Sequence, residues 1–286
     1  MLSKLIKYDF KALSRMLWPT MAAVVGATLI AALCFLFDSK TIGNANGGLI
    51  QFLAGMLAVI MVLAIIAAAF LVFFVICAHF YRNLMTDQGY LTFTLPVKTS
   101  DILWSKLITA MLWSIISGAI ICLSAFMFVG IVGAGGGAEE FMRALSQGFK
   151  QLFSYLGGQG ALLTIEFILL GLAGLAFSVL HIYLALVIGG VVSEKHKVLA
   201  GIGFYFIISI VVGIVTSIAQ YYFGGSLLQQ VSGFGLFTYS NEINDASRLV
   251  SAAQPYYWFN LIFTLAMDAG CFLLSKYFLE NKLNLE

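Results

Sequence analysis

Apolar residues in this chain gather into long runs rather than alternating with polar ones. Six runs, roughly 17–37, 49–78, 107–132, 161–192, 198–221 and 256–275, are long enough to cross a bilayer, since a spanning helix needs about 20 mostly apolar residues. The second and fourth exceed that minimum and must tilt, kink or extend beyond the lipid. Hydrocarbon offers no partner to an exposed backbone, so helix is the form such runs take. The pattern predicts an all-α, polytopic membrane protein with six transmembrane helices, forming one membrane domain over residues 1–286.

The segments between the runs have patterns of their own. Over residues 1–16, Leu2, Leu5, Ile6, Phe10 and Leu13 recur at helical spacing, and Lys4, Lys7, Lys11 and Arg15 fall mainly on another face. That is the pattern of an amphipathic interfacial helix with its lysines at the headgroups; the alternative is a basic flank that only sets topology. Pro19 lies just inside the first run, where a bend between interfacial helix and span is expected. Residues 38–48 are short and rich in Asn and Gly, the composition of a turn. Over 133–160, Phe141, Met142, Leu145, Phe149, Leu152, Phe153 and Leu156 form an apolar stripe, with Glu139, Glu140, Arg143 and Lys150 mostly elsewhere, predicting an amphipathic surface helix. The segment 222–255 has an apolar half, 227–237, suited to a re-entrant element, and a polar half around Asn241, Glu242, Asp245 and Arg248. Tyr256, Tyr257 and Trp258 then open the last run as an aromatic belt.

Charge orients the whole. Eleven Lys and Arg residues flank one set of span ends and four flank the other, which places both termini and the stretch 79–106 in the cytoplasm of a multi-pass cell-membrane protein. With 61% hydrophobic and 10% charged residues and a mean hydropathy of +0.99, the chain falls far from soluble domains, where about a quarter of residues are charged. The net charge of +2 is dispersed and gives nucleic acid no footprint. Cys34, Cys77, Cys122 and Cys271 all sit in apolar runs and read as packing residues. Three scattered histidines suggest no metal site. The glycine clusters at 135–137 and 157–158 lack the strand–loop–helix context of a nucleotide loop. No cofactor is implied, and no internal repeat is evident.

The inner stretch 79–106 departs from a plain connector. It mixes charge at Arg82, Asp87, Lys98, Asp101 and Lys106 with large apolar residues at Leu84, Tyr90, Leu91, Phe93 and Leu95. Gly89 interrupts it, Pro96 ends what precedes, and Thr99, Ser100 and Asp101 read as the cap and first turn of the next helix. Residues Leu91 to Leu95 alternate apolar and polar, a strand by period alone. With no sheet to join, a short helix along the membrane surface is expected. Such a surface can dock a protein partner; the alternative is that its aromatics only anchor the loop at the headgroups.

A basic amphipathic N-terminal helix, six spans, and a loop after the second span reading charged–Gly89–Tyr90-Leu91–Thr94-Leu95-Pro96–Ser100-Asp101-Ile102-Leu103–Ser105-Lys106 resembles the permease subunits of type-two ATP-binding-cassette exporters. The resemblance covers nearly the whole chain in element order. It departs at Asp87-Gln88, where many such permeases carry glutamate, any residue, then glycine. It implies that the N-terminal helix is the family's connecting helix. It further implies that Arg82, Asp87, Gln88, Gly89, Tyr90, Leu91, Phe93 and Pro96 engage a cytoplasmic ATPase subunit, with Tyr90, Leu91 or Phe93 filling its pockets and Arg82 and Asp87 orienting at the rim. The implied partners are ATPase subunits, a second permease copy or paralogue, and the lipid bilayer. No Gly-x-x-x-x-Gly-Lys-Ser/Thr occurs in the chain, so the chain reads as a transport subunit rather than an enzyme, with ATP hydrolysis in a separate polypeptide.

Three ionisable residues remain inside the spans: Glu166, His181 and Asp268. A carboxylate at mid-bilayer costs about 3 kcal/mol on insertion scales. Glu166 and Asp268 are therefore candidates for a transport path, and Asp268 could equally bond Thr216 or Ser217 of a neighbouring helix. His181 reads as a packing residue. The rival function is a stand-alone ion-coupled carrier or intramembrane enzyme using Glu166 and Asp268; a blander one is a sensor or immunity component that moves nothing.

Overall fold

The structure, a computed structural model, describes residues 2–41, 48–86, 88–89, 92, 94, 96–133, 142–144, 146–150, 159–193, 196–224 and 243–281. Six long helices carry it: α1 (Leu2–Thr41), α2 (Gly48–Met85), α3 (Thr99–Gly133), α4 (Gln159–Val192), α5 (Lys197–Ala219) and α6 (Ile243–Asn281). A π-helical turn, Gln220–Gly224, continues α5. Each of the six helices is long and apolar enough to span a membrane, and by that measure the chain is a multi-pass membrane protein.

The helices overrun the apolar runs that announce them. α1 has 40 residues and is about 60 Å long at 1.5 Å per residue, about twice the hydrocarbon thickness. Pro19, where a bend is expected, lies inside one continuous helix rather than between two. A single packing seam runs past it: Leu13, Leu17, Met21, Val24 and Thr28 are buried at helical spacing on both sides of the proline. Pro19 itself is exposed, so its missing N–H falls on the side with no packing to lose. At the other end of the chain, the polar half of 222–255 is partly helical. α6 starts at Ile243 and passes through Pro255, as membrane helices tolerate. In 133–160, residues 142–144 and 146–150 are helical, with Met142 and Phe149 exposed. The apolar half 227–237 and the glycine clusters lie outside the described residues.

By contacts the chain forms two compact units, Met1–His79 with Ile108–Gly148, and Phe80–Leu107 with Phe149–Glu286. In the first, Met61 and Phe128 pack with Ala27. In the second, α4 is the hub, packing against both α5 and α6. Its residues Val179 to Ala185 are all buried. Gly189 of α4 faces Gly201 of α5 so closely that a Cβ on Gly189 would overlap the Gly201 backbone. Small residues permit such approach between membrane helices. At the far end of α5, Gln220 Nε2 donates to Asn260 Oδ1 at 2.6 Å, tying the π-helical turn to α6.

Candidate functional site

The polar stretch 79–106 is mostly helix. α2 runs on to Met85 and α3 begins at Thr99, so only 86–98 lies between them. Arg82, exposed in the last turn of α2, complements the negative end of the helix dipole. Lys106 is not a solvated charge: two turns into α3, it is buried and engaged in polar contacts.

The first half of the connection folds back on α2. Gly89 N–H donates to the Thr86 carbonyl at 2.6 Å. The Thr92 hydroxyl reaches the carbonyls of Asn83 and Gln88 at 3.2 and 3.0 Å, and Gln88, Gly89 and Thr92 are helical. Gly89 is buried, and a Cβ there would stand 2.5 Å from the Leu84 carbonyl oxygen, so only glycine fits this fold-back. On the other side, the Lys98 carbonyl accepts from the N–H groups of Asp101 and Ile102 at 2.9 and 3.3 Å, opening α3 with Asp101 in its first turn.

Both ends of the connection are then fastened to α4. The Phe80 ring stacks on Tyr183 with centroids 3.7 Å apart and planes 12° from parallel. The Tyr183 hydroxyl donates to the Lys106 carbonyl at 3.3 Å. One residue of α4 thus holds the last turns of α2 and the second turn of α3. Trp104 packs against Phe272 of α6, centroids 5.0 Å apart. A buried, ring-stacked mount of this kind is stiff, because close-packed groups have little room to yield.

Of the candidate coupling residues, Arg82, Gln88 and Pro96 are exposed and Gly89 is buried as the pivot of the fold-back. Asp87, Tyr90, Leu91 and Phe93 lie outside the described residues. Phe80 and Tyr183 were not singled out by sequence pattern. Each is one aromatic among many in an apolar helix, and 103 residues separate them.

In the first unit, the N-terminal part of α1 is held by a second set of contacts. Asp9 Oδ1 lies 3.5 Å from His79 Nε2. Phe10 stacks on Trp113 with centroids 5.0 Å apart, and Trp113 Nε1 donates to the Phe10 carbonyl at 3.3 Å. Lys4, Lys7, Lys11 and Arg15 are exposed, and Leu2, Leu5, Ile6 and Phe10 half-buried. Sequence offered one signal for the Asp9–His79 contact. Asp9 stands on the apolar face, at helical spacing from Leu2, Leu5, Ile6 and Leu13, where a carboxylate needs a partner.

The ionisable residues of the spans divide. His181 is buried in packing: its Nε2 lies 3.4 Å from Ser209 Oγ, and its ring stacks on Tyr205 with centroids 4.9 Å apart. Asp268 is 9% exposed, and its Oδ1 has no hydrogen-bond partner among the described residues. Glu166 is half-buried, and its Oε2 likewise has none among them. Asp268, Cys271, Ser275 and Leu279 form the buried face of α6.

Comparison of the chain with protein-family models, with curated proteins and with solved structures gave no match in any of the three. What stands is an all-helical, multi-pass membrane protein whose second and third helices are joined by a compact connection mounted on the fourth.

Proposed function

We propose that this chain is the membrane-spanning permease subunit of an ATP-driven exporter, working with a separate cytoplasmic ATPase and a second permease, identical or paralogous. The observation that carries the reading is the mount of residues 86–98, with Phe80 and the Lys106 carbonyl both held by Tyr183. An ATPase that closes on this connection would push on α4 through the end of α2 and the start of α3, and spans move as rigid bodies in such transitions. The α1 segment ahead of Pro19, fixed through Asp9 to His79 of α2 and through Phe10 to Trp113 of α3, gives a second handle. Both termini and the connection lie on the cytoplasmic side, where Lys and Arg concentrate. The apolar spans suit an amphipathic or hydrophobic cargo such as a peptide, lipid or drug.

A second reading rests on Asp268. An unpartnered carboxylate oxygen inside a span also suits a stand-alone ion-coupled carrier or intramembrane enzyme. Co-expression separates the two. With its ATPase, the full chain is expected to purify as a complex whose ATP hydrolysis responds to the permease. Replacing Tyr90 and Phe93 by Ala is expected to uncouple that hydrolysis. A chain that purifies alone, with transport intact and no bound ATPase, would overturn the exporter reading.

A further inference from the structure

Away from the connection, the second unit has an open groove of about 340 Å³ lined by Tyr81, His196, Lys197, Val198, Leu199 and Ile202. Tyr81 stands four residues before the end of α2, and Lys197 is the first residue of α5. The groove therefore lies where two spans end, at the depth of lipid headgroups.

Its walls are of two kinds. One is apolar and open: Val198, Leu199 and Ile202 are exposed, Leu199 at 70%. The exposed stripe continues along the same face of α5 through Phe206 and Ile210. From Leu199 to Ile210 it is about 16 Å long at 1.5 Å per residue, close to half the hydrocarbon thickness of a bilayer. The rest of the lining is Lys197, His196 and Tyr81, whose side chains together are dominated by donors. The opening turn of α5 carries no acidic residue, and the turn sequence Ser193-Glu194-Lys195-His196-Lys197 holds two lysines against one acid.

We infer that this groove binds one anionic phospholipid. The phosphate accepts from Lys197, with Tyr81 and His196 beside it, and one acyl chain lies along Leu199, Ile202, Phe206 and Ile210. Charge complementarity selects the headgroup, since phosphate oxygens are acceptors and the ammonium supplies the opposite charge. The length of the exposed stripe selects a lipid over a small anion. A lysine at this depth keeps its stem in the apolar zone and its charge at the headgroups.

Native mass spectrometry of the full-length chain in a neutral detergent, titrated with phosphatidylglycerol or phosphatidylcholine, tests this. Phosphatidylglycerol is expected to be retained about fivefold more tightly, the contribution of one basic side chain near an anionic headgroup. Lys197→Gln is expected to abolish the preference and Lys197→Arg to keep it, both with parental helicity and elution volume. Equal retention of the two lipids, or a preference untouched by Lys197→Gln, would overturn the proposal. So would soluble glycerophosphoglycerol binding as tightly as the lipid, which would leave a small-anion site.

Discussion

Gly189 and Gly190 are neighbours in sequence with different surroundings, and they separate two kinds of tight contact. An added methyl at Gly189 would meet the backbone of Gly201, which cannot move without shifting α5. At Gly190 it would meet the Met85 sulfur at 2.9 Å, the end of a flexible side chain that can swing aside. Gly189→Ala is expected to cost about 1–3 kcal/mol, the usual range for overpacking, and Gly190→Ala clearly less, read from reversible unfolding in mixed micelles. Asp268 presents the opposite case. Among the described residues its Oδ1 has no partner to lose, while burial of its charge is costly. Asp268→Asn is therefore expected to be at least as stable as the parent. A loss above about 1 kcal/mol in the same assay, the size of one lost hydrogen bond, would show that the carboxylate is held. Neither contrast is legible in sequence. Glycine and aspartate in an apolar run say that something must accommodate them, and only the neighbouring helix decides what.

At the level of the elements, Tyr183 joins three helices through its two ends. Tyr183→Phe keeps the stack on Phe80 and removes the bond to the Lys106 carbonyl, an expected loss of about 1 kcal/mol. Tyr183→Ala removes both and is expected to cost about 3–5 kcal/mol, as for other buried aromatics. Trp113→Phe in the first unit loses the bond to the Phe10 carbonyl and leaves a cavity where the larger indole was buried, so its cost is expected to fall between those two. Thermal unfolding of the purified variants orders the three. The helices themselves were readable because a bilayer imposes their length and apolarity. Most of their ends were not, since polar residues such as Arg82 prolong a helix as readily as they leave it; the start of α3 was the exception, with Asp101 in its first turn as the capping pattern predicts. The stretch read as a loop over 79–106 thus shrank to 86–98. Pro19 joins the interfacial segment and the span within one helix, since a proline on the exposed side of a well-packed helix need not end it. The pairs that fasten the site, Asp9 with His79 and Phe80 with Tyr183, join residues far apart in the chain. Periodicity, a local signal, has no access to such partners.

For the whole molecule, six spans put both termini on one side of the membrane, whichever side that is. In the proposed topology that side is the cytoplasmic one, which the asymmetry of eleven basic residues against four supports, because basic flanks resist translocation. The side bears directly on mechanism, since an ATPase can act on residues 86–98 only where ATP is. Lys98 and Ser146 are exposed and stand on opposite sides in this topology. In a chain with Cys34, Cys77, Cys122 and Cys271 replaced, Ser146→Cys is expected to react with a membrane-impermeant maleimide in intact cells. Lys98→Cys is expected to react only after the membrane is opened. The reverse pattern would place the connection outside the cell. The aromatic mount on α4 would then remain as packing, but no cytoplasmic motor could use it.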